Sequence, residues 1–338
     1  MEQKTLTAKK ISLFTVAAVL INALVGVATS FVLNKIPTSE IGFKNYSTMN
    51  ALNYAISLAS GIIFLAAILI LGFVLTKNKT KTLIFAGSVV FGRNLVEIFI
   101  SLITTLLKAF SITETVAIST ALDIIAIPFI AFVAYFAFTA FEGLNPKFTD
   151  RSINTSELTL SVARKRYIIA DIIALIVSAL LTSIPAAILG FFPEFVSETW
   201  FTVVYNLLTW FTNALTFIIL YLAGYKAHSS HIDGMAMRAC IGLSSIINTC
   251  ILRFLLTAQS VIIGAIFPTG IEENVNTYMT ATSFAMSVIP FISTIISFIT
   301  VLYFLRFFFV KAKITLFTET PEIPIESEEA EDISLDAE

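Results

Sequence analysis

The sequence predicts an all-α integral membrane protein of about eight transmembrane helices, arranged as two parallel four-helix repeats. Three observations point there. Of 338 residues, 57% are hydrophobic and 13% charged, with a mean hydropathy of +0.89. The apolar residues fall into eight long runs, and features of the first half of the chain recur in the second at a near-constant spacing.

The composition sets the solvent. A soluble domain carries about a quarter charged residues, and no single globular core hides this much apolar surface, so the chain's surroundings are expected to be lipid. The net charge is −2, with no basic region to hold nucleic acid. The two cysteines, Cys240 and Cys250, lie ten residues apart in one apolar run. On a helix that is a rise of about 15 Å, beyond disulfide reach, so they read as small packing residues. Lys4, Lys9 and Lys10 precede an apolar stretch too long for a signal-peptide core, and no clean small-residue cleavage site follows.

The runs lie at about 11–33, 50–75, 82–107, 118–142, 167–190, 200–225, 239–265 and 280–310. Each is long enough to cross about 30 Å of hydrocarbon. Backbone groups in lipid must be satisfied within their own segment, so each run is read as a helix. The expected organisation is a first four-helix unit over 1–145, a cytoplasmic linker over 146–166, a second four-helix unit over 167–315 and a tail over 316–338. From Thr318 to Glu338 there are nine acids, two prolines and no Lys or Arg, a composition that does not fold by itself.

Orientation follows from Lys and Arg in alternate connectors. One side collects sixteen, from Lys4, Lys9 and Lys10 through Lys77, Lys79 and Lys81, the 147–166 stretch, Lys226 and Arg238, to Arg306, Lys311 and Lys313. The other side holds three, Lys35, Lys44 and Lys108. Both termini are therefore expected in the cytoplasm, with the chain in the plasma membrane.

The repeat rests on ordered correspondences. Ile127-Pro128-Phe129-Ile130 recurs as Ile289-Pro290-Phe291-Ile292 after 162 positions. Thr7-Ala8-Lys9-Lys10 resembles Val162-Ala163-Arg164-Lys165 after 155, and Asn53 matches Asn206 after 153. Four helices per half is an even number, so both halves enter from one side, related by an axis along the membrane normal.

Candidate site residues are the polar groups deep in the apolar runs. Arg93 and Glu97 are four residues apart on one face of the third run and can pair. Arg253 lies mid-way along the seventh, and an offset of 156 that aligns Ser88 with Ser244 also aligns Glu97 with Arg253. A charge at mid-membrane costs about 2.5–3.5 kcal/mol on insertion scales, so these groups are expected to be paired, cavity-facing or both. The bland alternative is a buried ionic staple between the halves. Two cations and one anion leave a positive excess, which suggests an anionic solute. Asn94 and Asn248 accompany the charges, and Asp123 stands about one and a half turns inside the fourth run, placed to line a vestibule. Other intramembrane asparagines, Asn22 among them, are expected to tie helices together. Pro128, Pro185 and Pro290 are expected to kink or break their helices.

No Gly-rich phosphate loop, HExxH pattern or nucleophile–base pair is visible, and His228 and His231 lack the company a metal site needs. The sequence therefore predicts no enzyme, cofactor or metal. It predicts a transporter or permease for a small solute, anionic by the charge count, bound between the two halves. A non-transporting subunit that senses or assembles, using basic loops and acidic tail to hold a protein partner at the cytoplasmic face, is the main alternative. An intramembrane enzyme is the lesser one.

Overall fold

A computed structural model describes residues 2–34, 43–109, 116–141, 157–192, 199–266 and 275–311. The acidic tail and most of the expected 146–166 linker lie outside the described residues. Eight helices follow in order: α1 (Glu2–Asn34), α2 (Phe43–Thr76), α3 (Lys79–Ala109), α4 (Val116–Phe141), α5 (Glu157–Phe191), α6 (Thr199–His228), α7 (His231–Ile266) and α8 (Val275–Arg306). All eight are long and apolar enough to cross a membrane, and no strand occurs among the described residues. This is a multi-pass helical membrane protein. Its outward surface agrees: α5 turns Ile168, Ile169, Ile172, Ile173, Ile176 and Leu180 outward, an apolar face suited to lipid contact.

Three features add detail to the expected arrangement. The helices outrun their apolar cores, and α5 begins at Glu157, so residues 157–166 of the expected linker are helical. Once the first turn exists, each added residue gains a backbone hydrogen bond, and the basic stretch Arg164-Lys165-Arg166 is a good helix former. The three prolines do not break their helices: α4, α5 and α8 run on past Pro128, Pro185 and Pro290. Finally, α8 ends in a π-helical turn at Phe307–Lys311. Its Phe307, Phe308 and Phe309 are buried, and Phe308 packs on Phe141 of α4 with ring centroids 5.6 Å apart.

In the first half α1 packs on α2, α2 on α3, α3 on α4, and α4 back on α1, a closed ring of four. In the second half the same sequence of neighbours recurs, with a slighter contact between α5 and α8. The halves meet through α2 on α7, α3 on α6 and α3 on α7. Close approach of α7 depends on small residues. A Cβ at Gly242 would stand 2.5 Å from a Val90 methyl and 2.7 Å from the Asn94 side-chain nitrogen, and one at Gly61 would stand 2.9 Å from Cys250 Sγ. Trp210 fixes α6 to α3 by donating its indole N–H to the Ile98 carbonyl at 2.8 Å.

Two turns are built alike. Lys77 between α2 and α3, and Ser229 between α6 and α7, both have φ of 52°. Each is followed by a polar residue whose carbonyl starts the next helix: Thr82 N–H donates to Asn78, and Gly234 N–H to Ser230. The side-chain oxygen of Asn78 caps α3, accepting from the Thr80 and Lys81 N–H groups at 2.8 and 3.3 Å.

Candidate functional site

A cluster of charged and polar side chains lies around the middle of α3. Arg93 Nε donates to Glu97 Oε1 at 2.5 Å, the pairing that four-residue spacing on a helix allows. Arg93 Nη1 also donates to Asn22 Oδ1 of α1 at 3.4 Å, and the guanidinium lies 5.0 Å from the centre of the Phe64 ring of α2. The pair is not sealed: the side chains of Arg93 and Glu97 are 33% and 52% accessible.

What they face is a double cleft. One part, of about 300 Å³, is lined by Asn22, by Ser57, Ser60, Gly61 and Phe64 of α2, by Arg93, Asn94 and Glu97, and by Gly242, Ser245, Ile246 and Thr249 of α7. The other, of about 290 Å³, lies among α1 to α4. It is lined by Val19, Asn22, Ala23, Gly26, Ser60, Phe64, Arg93, Val96, Glu97, Ile100, Asp123, Ala126 and Ile130. Asn22, Ser60, Phe64, Arg93 and Glu97 border both parts, so the ion pair and its immediate neighbours form a shared wall. At about 30 Å³ of liquid per molecule, each part has room for about ten waters.

The residues singled out from sequence separate into two groups. Arg93, Asn94, Glu97 and Asp123 line the clefts. Arg253 and Asn248 line neither. The Arg253 guanidinium sits 5.5 Å from the centre of the Tyr54 ring of α2 and makes no ion pair among the described residues. Asn248 Oδ1 accepts from Ser293 Oγ at 2.6 Å, which ties α7 to α8. The clefts are therefore carried by the first four helices, with α7 as the one wall from the second half. Asp123 makes no hydrogen bond or ion pair among the described residues, though it lies within electrostatic range of both Glu97 and Arg93.

Phe64 and Ser60 are the contributors that sequence reasoning passed over. Their signal was present as the one-turn spacing Ser57, Ser60/Gly61, Phe64, which puts all four on one stripe of α2. Among the described residues no group of three or more His, Cys, Asp or Glu side chains stands close enough to hold a metal ion. Compared with protein families, characterised proteins and solved structures, the chain has no match.

Proposed function

We propose that the protein is a transporter or permease for a small solute, and that the solute binds in the double cleft at Arg93 and Glu97. The observation that carries this reading is the shared wall. Polar and charged groups at membrane depth are expensive unless they serve a cavity or a pathway, and here they border open volume on two sides. Sequence reasoning set the site between the halves. The cleft supports a site held mainly by the first half, with α7 closing one side. The count that favoured an anionic solute included Arg253, which stands apart from both clefts. We further propose that the halves are a parallel duplication with both termini in the cytoplasm. The basic bias supports the orientation. The duplication is supported by the matching turns at Lys77 and Ser229, and by interfaces that exchange when the halves are swapped, α2 on α7 for α6 on α3. A direct Arg93–Glu97 bond is also what a purely structural staple would have, which keeps the non-transporting subunit as the second reading.

The test is uptake by the full chain reconstituted in lipid vesicles, measured beside thermal unfolding for wild type and Glu97→Gln. Saturable uptake that changes in the variant while the melting temperature holds supports transport. If no solute in a panel of small cations, anions and zwitterions shows saturable uptake by the folded protein, the transport reading fails.

A further inference from the structure

Resting on that site, we infer that the cleft takes a small organic cation, an ammonium group carried on a compact apolar body. The ionisable groups of the second part of the cleft are Arg93, Glu97 and Asp123, which as charged groups sum to −1. Arg93 and Glu97 already satisfy one another, so the charge left over is the Asp123 carboxylate, which has neither hydrogen bond nor ion pair among the described residues. Asp123 is exposed on the cleft wall, with Arg93 in electrostatic range but not bonded to it, and a carboxylate beside apolar helices attracts a counter-charge more strongly than one in bulk water. An anion entering the same space would meet two carboxylates, with the one guanidinium already engaged by Glu97 and Asn22.

The rest of the lining separates organic from inorganic cations. Ca²⁺ takes six to eight oxygens and Mg²⁺ a near-ideal octahedron, whereas this cleft offers one free carboxylate, the Ser60 hydroxyl and an Asn22 oxygen already used by Arg93. Much of the remaining wall is aliphatic, from Val19 to Ile130. An ammonium has three donors, which Asp123 and Ser60 can accept, and its hydrocarbon part would displace water from the aliphatic wall. The Phe64 ring, which already borders a guanidinium, adds a surface that favours cations.

The experiment uses the full-length protein in nanodiscs of neutral lipid, with protein-free discs as blank, and two probes of like shape and opposite charge, benzylammonium and benzoate. Calorimetric titration should show saturable binding of benzylammonium and none of benzoate. Asp123→Asn should weaken benzylammonium about 10- to 100-fold, the range of one charge-assisted hydrogen bond, and Asp123→Glu should keep most of the affinity. If Asp123→Asn does not fold, Glu97→Gln carries the test, because it also removes a negative charge from the cleft and should weaken binding in the same direction. Binding of benzoate in place of benzylammonium, binding of neither, or benzylammonium affinity indifferent to these substitutions overturns the inference. Vesicle uptake distinguishes this from failure of the transport reading. Benzylammonium that binds but never crosses leaves the cation site standing and removes transport. Carried benzoate with no benzylammonium binding does the reverse.

Discussion

Arg93 and Glu97 are where physical cost and function meet at the scale of single residues. In a dry interior, removing Glu97 would strand a buried cation and cost about 3–5 kcal/mol. In a hydrated cleft the pair resembles an exposed one, worth about 0–1 kcal/mol. The proposed transport cleft puts water on the accessible third to half of these side chains, and on that reading Glu97→Gln is expected to lose no more than about 1 kcal/mol in thermal or chemical unfolding. A loss near 4 kcal/mol would mean a dry staple. Gly242 is a different kind of position. Any side chain there must move both Val90 and Asn94, so Gly242→Val is expected to cost about 1–3 kcal/mol by overpacking, measured by the same unfolding assay. The pairing of Arg93 with Glu97 was legible from spacing alone. The place of Arg253 was not, because alignment of two halves fixes depth along a helix and leaves the direction of the side chain to local packing. In the structure the side chain lies against Tyr54 on a neighbouring helix.

At the scale of elements, hydropathy located all eight helices, because a run of twenty or more apolar residues in lipid has one solution. Their ends were less legible. The polar turns of α5 from Glu157 to Arg166 carry no hydropathy signal, yet they continue the helix. Of the two outcomes expected at the prolines, a kink or a break, the break does not occur. A membrane helix can absorb a missing N–H because neighbouring helices and local adjustment satisfy the freed carbonyl. The α2–α3 turn offers a sharp test. Asn78→Ala removes the cap that receives two N–H groups of α3 and is expected to cost about 0.5–2 kcal/mol. Asn78→Asp, which keeps the accepting oxygen, should cost little. Equal losses for both would show that the side chain acts in some other way.

The whole molecule is two rings of four helices joined through α2, α3, α6 and α7. That α3 and α7 are both central was beyond a sequence reading, since it depends on which helix faces lie against each other and not on which are apolar. Topology belongs to this scale. Cysteines introduced at Ser47 and at Thr80, treated in intact cells with an impermeant thiol reagent, should be marked only at Ser47, as both termini inside requires. Marking at Thr80 would reverse the orientation.

The central claim is that water and solute reach Arg93 and Glu97 inside the bundle. Ser60 borders both parts of the cleft, whereas Ile63, three residues on, lines neither and is 45% exposed on an apolar face. The most direct measurement is the reaction of Ser60→Cys and Ile63→Cys with a small charged thiosulfonate, in the full-length protein with Cys240 and Cys250 replaced by alanine and folding verified. A thiol reacts as its thiolate, which forms where water reaches and not in hydrocarbon. Ser60→Cys is expected to be modified and Ile63→Cys is not. A folded protein in which Ser60→Cys stays as unreactive as Ile63→Cys would contradict the central claim.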